Sequence, residues 1–274
     1  MTAAAPKGVD SHKGDSQARR LRLGAVEMLP RLVCAAVGSA LSRIQPIHAG
    51  HYTMPPDGRF PGERIVVTAF VVEHPRGVFL FDTGFSPEPK ELVERFAPVE
   101  MRPIAEALRA GGYATADVKL IANCHFHPDH AGGNHHFPNT PILVQRRELA
   151  HARADADYTY LPHVAEFVGA RLEEIDGEAE PWPGIRLIPT PGHSSGHQSV
   201  VVETKEGRVV LAGQALSFSS DYARDRYSHE LALAGGPHGP YPDWIARISE
   251  LDPWRVLFAH DRAIWQRDAA ASIL

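Results

Sequence analysis

The chain has 274 residues, 43% of them hydrophobic, which allows one large domain with a substantial core. Its formal net charge is −5, with no basic run beyond roughly the first thirty residues, and this argues against a nucleic-acid partner. Two cysteines, Cys34 and Cys124, exclude a disulfide framework and fit reduced thiols in a cytoplasmic protein.

Residues 1–43 are expected to form an N-terminal extension, and residues 44–274 the main domain. Met1 to Arg20 is polar and small without periodicity, the composition of a disordered start. Leu23 to Leu41 is apolar but interrupted by Glu27, Pro30 and Arg31, which predicts short helices broken near Pro30 and no membrane span. Arg19-Arg20 is a weak match to a twin-arginine export signal, because charges interrupt the apolar stretch behind it.

The main domain reads as mixed α/β. Ile65 to Val72 and Gly77 to Phe81 are β-branched and aromatic runs around a His74-Pro-Arg-Gly77 turn, which predicts a hairpin. Helices are predicted over 91–96 and 104–109, the second stopped by Gly111-Gly112. Val118 to Cys124 and Pro141 to Gln145 read as strands, and 146–154 and 161–172 as helices. Strands follow at 185–190, 198–203 and 208–212, the last two joined by a tight turn at 205–207. Residues 217–242 show no period and read as a loop or lid. A helix over 244–251, a strand over 255–259 and a terminal helix from Ala263 complete the pattern.

Residues 124 to 133 read Cys-His-Phe-His-Pro-Asp-His-Ala-Gly-Gly. At the end of a strand His125 and His127, two apart, project to one side and can reach one metal ion. Pro128 disfavours helical geometry at His127 and suits the first position of a new helix, which turns Asp129 and His130 toward a second ion. Gly132 and Gly133 let this backbone approach other loops closely. Cys124 reads as a buried small residue rather than a ligand. Two further histidines follow strand signals, His193 in Thr190-Pro-Gly-His and His260 in Phe258-Ala-His-Asp261, and only a folded sheet can bring them to the first group.

With these residues in place, the chain from about Gln45 to Trp265 resembles the metallo-β-lactamase superfamily, whose pattern is H-x-H-x-D-H, a distant Pro-Gly-His, an acidic residue after a later strand and a final His. Phe81-Asp-Thr-Gly84, the histidine-rich stretch, Thr190 to Ser199 and Ala259-His-Asp261 look most like the quorum-quenching N-acyl homoserine lactonases. The resemblance implies an αβ/βα four-layer sandwich. It implies His125, His127 and His193 as ligands of one zinc ion and Asp129, His130 and His260 as ligands of a second, each ion keeping an open position. Asp82 would brace the histidines from behind. The implied activity is hydrolytic opening of a lactone ring by metal-activated hydroxide, with Asp129 protonating the leaving oxygen. The implied partner is a small-molecule lactone or ester, and a homodimer is compatible with the resemblance.

Two departures stand out. Where the family usually carries a bridging aspartate, this chain reads Leu211-Ala-Gly-Gln214, so the neutral amide of Gln214 is the candidate ligand and one ion is expected to be held less firmly. Ser217 stands where these lactonases commonly carry a tyrosine, and Tyr222 or Tyr227 could supply a phenol from the following segment. His197 reads as a hydrogen-bond partner holding the His193 loop. His135 and His136 read as part of the following helix, and His12, His48, His51, His74, His151, His163, His229 and His238 as exposed or singly bonded side chains. His229 and His238 lie in the expected lid and could touch substrate there. A Ser194 nucleophile is disfavoured because a strand, not a helix, follows Gly192-His-Ser-Ser-Gly196. Other readings stay open at this point: another ester, thioester, β-lactam or phosphodiester hydrolase, the last with Arg146 and Arg147 as the nearest basic pair; a mono-iron persulfide dioxygenase; or a metal-binding protein without catalysis.

Overall fold

The computed structural model describes residues 43–85, 90–154 and 164–267. Strands β1 (Ile44–Thr53), β2 (Arg64–His74), β3 (Gly77–Phe81), β4 (Glu100–Met101), β5 (Val118–Ala122), β6 (Pro141–Gln145) and β7 (Arg171–Ile175) form one sheet in the order β4-β1-β2-β3-β5-β6-β7. Strands β8 (Ala179–Trp182), β9 (Ile185–Pro189), β10 (Gln198–Thr204), β11 (Gly207–Leu211), β12 (Arg255–Leu257) and β13 (Trp265–Gln266) form the other, in the order β13-β12-β11-β10-β9-β8. Antiparallel hairpins join β2 to β3 and β10 to β11, whereas β3, β5, β6 and β7 run parallel, as do β11 and β12.

Alternation along the strands builds the layers. Phe70, Val72, Phe79, Phe81 and Leu120 of the first sheet pack against Trp182, Leu187, Val200, Val202 and Leu211 of the second. Their neighbours Ala69, Val71, Leu80 and Ile121 point the other way, onto Ile104, Ala107 and Leu108 of α2 (Ile104–Ala110). Beyond the second sheet, Ile188, Val201, Val210 and Val256 are covered by Tyr222 of α5 (Ser219–Leu233) and by Trp244, Ile245 and Ile248 of α6 (Trp244–Glu250). The order is therefore helix, sheet, sheet, helix, the four layers expected from the sequence. Each fully buried Val, Leu or Phe in these layers contributes roughly 1.5–3 kcal/mol of transfer free energy.

Three expectations are corrected. The segment 217–242 is not a structureless lid, since α5 occupies fifteen residues of it. The helix over 161–172 does not form across its described part, because Arg171 already starts β7, the edge strand beside β6. Across its described part the helix expected from Ala263 does not form, because Trp265 and Gln266 pair with β12. The anticipated helix over 91–96 is α1 (Lys90–Arg95), and Arg146 to Ala154 forms α4 as expected. The N-terminal extension, with Cys34 and the expected short helices, lies outside the described residues except for Arg43. Among the described residues no helix is long and apolar enough to cross a membrane.

Beside the apolar layer between them, the two sheets also share a polar contact at the start of β10. The Gln198 backbone N–H donates to the Cys124 carbonyl at 2.9 Å, and its side-chain amide donates to the carbonyls of Asn123 at 2.8 Å and Leu143 at 3.2 Å. The Gln145 amide donates to Gln198 Oε1 at 3.0 Å. The loop after β5 is thereby fixed to the first residue of β10.

Candidate metal centre

The centre lies at the ends of strands from both sheets. The loop after β5 carries His125 and His127, and α3 (Pro128–Ala131) begins at Pro128, with His127 extended as its N-cap (φ −63°, ψ 152°). This is the change of direction predicted from Pro128. Gly133 sits so close to Thr83 that a Cβ there would lie 2.3 Å from the Thr83 carbonyl oxygen. At Gly213, in a left-handed turn with φ +56°, a Cβ would lie 2.6 Å from that of Cys124, and this contact brings Gln214 to the centre.

Two groups of side chains converge. His193 Nε2, from the loop after β9, lies 3.1 Å from His125 Nε2 and 3.0 Å from His127 Nδ1. His130 Nε2 lies 3.1 Å from His260 Nε2, and Asp129 Oδ2 lies 3.6 Å and 3.4 Å from the same two nitrogens. In each group one ligand-type atom per residue lies within 4.8 Å of the others. The sequence therefore identified six side chains that the fold gathers into two adjoining triads. Gln214 joins the second, with Oε1 3.1 Å from His130 Nε2.

The rear nitrogens of several rings are anchored. His130 Nδ1–H donates to Asp82 Oδ2 at 2.9 Å, and His260 Nδ1–H to the Val66 carbonyl at 2.8 Å. His125 Nδ1 lies 3.0 Å from Cys124 Sγ, whose thiol hydrogen goes to Asp82 Oδ2 at 3.1 Å, so Asp82 braces two histidines, one through the cysteine. Asp82 also accepts the Cys124 N–H at 2.8 Å and holds a left-handed φ of 65°, a sparsely populated conformation kept by this network. Cys124 is fully buried and free, as expected, and burial followed by the Asp82 charge pushes its thiol pKa well up. His197 donates through Nδ1 to Thr190 Oγ1 at 2.8 Å and accepts the Gln214 N–H at 3.2 Å, the loop-holding role predicted for it.

Burial, then neighbouring imidazoles, lowers His125 and His193 well below the ordinary histidine pKa; burial also takes His127 down to about 4. Burial opposes the charged form of Asp129, but His130 and His260 outweigh it and hold the carboxylate low. For His130 burial is again opposed, here by Asp129 and Asp82, which lift it to about 9. The rings of the first group are thus held neutral, and the His193 Nε2 lies 3.0–3.1 Å from a nitrogen of His125 and of His127, so one ring nitrogen of each turns to a common point. Imidazoles with anchored rear nitrogens, plus one carboxylate, are a donor set that fits zinc or a similar divalent ion.

Four side chains important to the site gave no signal in the sequence. Glu148 of α4, fully buried, accepts from the Phe126 N–H at 3.1 Å, the Ser194 hydroxyl at 2.6 Å and the Gly196 N–H at 3.1 Å. The bond to Ser194 ties that hydroxyl into the scaffold, consistent with its rejection as a nucleophile. Tyr52 of β1 faces Asp129, with its ring centroid 6.1 Å from that of His260. Burial and then the Asp129 charge push the Tyr52 hydroxyl well above its usual pKa, keeping it an O–H donor. Phe85 and Phe96 join Tyr52 and Met54 around a cavity of about 190 Å³ that opens onto His127, Asp129 and Gln214.

The remaining candidates fall elsewhere. Tyr222, on the buried face of α5, packs against Phe258 and Trp265, and Tyr227 is 60% exposed, so neither supplies the expected phenol. His229 is buried against Tyr241 rather than exposed in a lid. His135 and His136 lie in a single 3-10 turn, Asn134–His136, that leads to β6. Arg146 is paired with Glu174 at 3.3 Å, whereas Arg59 lines a neighbouring cavity beside His193 and Gln214. His12 and His163 lie outside the described residues.

Comparison with known proteins agrees with this geometry. Residues 62–265 match the model of the metallo-beta-lactamase superfamily. The chain is 33% identical to an N-acyl homoserine lactonase of Bacillus cereus over 215 residues, covering 71% of this chain and 81% of that one. It is 34% identical to an N-acyl homoserine lactonase of Bacillus thuringiensis over 223 residues, covering 73% and 84%. Among solved structures it is similar to an N-acyl homoserine lactone hydrolase with the product N-hexanoyl-L-homoserine bound at its catalytic metal centre. That match has a TM-score of 0.62 and 28% identity, and covers 82% of this chain and 94% of that chain.

Proposed function

The chain belongs to the metallo-beta-lactamase superfamily and is a metal-dependent hydrolase, and from this we propose that it opens the ring of N-acyl homoserine lactones. The observation that carries the proposal is the pair of triads beside the apolar cavity of Tyr52, Met54, Phe85 and Phe96. That cavity suits an acyl chain attached to a reacting ring held at the triads.

His125, His127 and His193 would hold one zinc ion, and Asp129, His130 and His260 a second, with Gln214 a neutral donor to the latter through Oε1. Bound there, zinc would polarise the ester carbonyl and make water acidic enough to act as a nucleophile near neutral pH. The protein's own part is positional and protonic. Asp129, the one carboxylate of the triads, would deliver a proton to the ring oxygen as the C–O bond breaks. Tyr52, facing Asp129 and kept protonated, would orient that carboxylate through its hydroxyl. Ring opening needs water as the sole co-reactant and yields an acyl homoserine; no covalent enzyme intermediate is required.

The test joins elemental analysis of protein purified without added metal to an assay of ring opening on a long-chain N-acyl homoserine lactone. Zinc near two ions per chain with turnover supports the proposal. A single iron per chain without lactone turnover would replace it with the oxygen-dependent reading.

A further inference from the structure

We propose that Arg59, with Ser217, forms a subsite for paired carbonyl oxygens on the substrate's side arm, so that the lactones preferred are those with a 3-oxoacyl amide. The inference rests on the lactonase reading and narrows it to one substrate class.

Arg59 lies at the tip of the turn between β1 and β2. The turn is internally bonded: the Met54 N–H donates to the Glu63 carbonyl and the Gly62 N–H to the Met54 carbonyl, both at 2.9 Å, and the Glu63 N–H donates to the Phe60 carbonyl at 3.0 Å. The guanidinium lies over the Phe60 ring, 4.9 Å from its centroid, and Phe60 packs edge-on against Phe218 at 4.9 Å. This fixes the arginine beside the segment that follows Gln214. The nearest carboxylate in sequence, Asp57, is taken by Arg95 at 2.8 Å, and among the described residues no acidic side chain pairs with Arg59.

Arg59 lines two adjoining cavities of about 220 and 240 Å³, and His193, Gln214 and Ser217 line both. The first of these also reaches Tyr52 and Met54, the wall of the apolar cavity. A substrate whose ring lies at the triads therefore meets a cationic donor and a hydroxyl close to the ring, and apolar surface farther along. A 3-oxoacyl amide has the matching sequence: two carbonyl oxygens near the ring, then alkyl chain. A guanidinium presents parallel N–H donors in a planar fork, which can engage two neighbouring acceptors where an ammonium acts as a point charge.

The experiment compares matched lactones of equal chain length, with and without the 3-oxo group, on the metal-loaded wild type and on Arg59→Met, Arg59→Lys and Ser217→Ala. Wild type is expected to favour the 3-oxo substrate by about tenfold or more in kcat/KM, mostly through KM. In Arg59→Met that ratio falls to near unity, and in Arg59→Lys it falls part of the way. Ser217→Ala lowers it without touching the arginine, which guards against misfolding of one variant. Equal ratios in wild type and Arg59→Met, or a wild-type preference for the plain chain, overturn the subsite. If neither lactone is hydrolysed, the proposed function fails, and calorimetric binding of the two matched lactams to the same proteins then decides on the subsite.

Discussion

Replacing Glu148 by glutamine should weaken the centre from behind without removing any ligand. The carboxylate accepts from the Phe126 N–H at Oε1 and from the Ser194 hydroxyl and the Gly196 N–H at Oε2. Phe126 lies between His125 and His127, while Ser194 follows His193 directly, so one side chain ties both limbs of the first triad. Glutamine has a single side-chain oxygen. If that oxygen takes the Oε2 place, its NH2 confronts the buried Phe126 N–H, and the two bonds that survive lose their charge assistance. An orphaned donor costs about 1–3 kcal/mol and each of the two weakened bonds up to about 1 more, for a total of about 1–5 kcal/mol. For a domain of this size that lowers the melting temperature by about 2–20 °C. The first triad should lose about 10–100-fold in zinc affinity, as when other groups behind metal ligands are removed. Thermal unfolding in chelator reads the first effect, and competition with a chromophoric zinc indicator reads the second. A variant that melts with the wild type and keeps its zinc would show that Glu148 is a bystander.

Stability of the metal-free chain should peak near neutral pH. Burial lowers His127 to about 4 and His197 to about 3, so between roughly pH 6.5 and those values the unfolded chain binds more protons and stability falls with acidification. His130 is raised to about 9, so its contribution is complete below about pH 6.5 and lost as pH climbs through 9. Melting temperatures from pH 4 to pH 10 in chelator should therefore trace a dome, and a flat profile above pH 7 would contradict the raised His130. Substituting Gln214→Asp restores an anion between the triads, and the variant should keep a second zinc ion through gel filtration more fully than wild type; equal retention would show that the neutral amide already suffices.

The centre was far more legible than the frame around it. His125, His127, Asp129, His130, His193 and His260 stand out because ligand-type residues follow strand signals, and strand ends are where such sheets gather loops. Helix α5 was hidden because its buried face carries Asp221, Asp225, Ser228 and His229, so no apolar period marks it. Strand β1 was missed because Pro46, His48, Gly50 and His51 interrupt its alternation. Glu148, Tyr52 and Arg59 left no local trace, since their relation to the centre arises from tertiary contact alone: α4 packing behind the histidine loop, and the turn between β1 and β2 folding over Gln214. Tyr222 and Tyr227 stand near Ser217 in sequence, whereas the phenol at the centre comes from the opposite sheet.

The polar contact at Gln198 bears on the geometry of the centre. Apolar faces slide past one another at little cost, but the amides of Gln198 and Gln145 find their acceptors in only one alignment of the two sheets. Each triad draws histidines from both sheets, so that alignment fixes the spacing of the nitrogens before any ion arrives. The spacing that an arriving ion would meet is then set in part by a glutamine contact outside both triads.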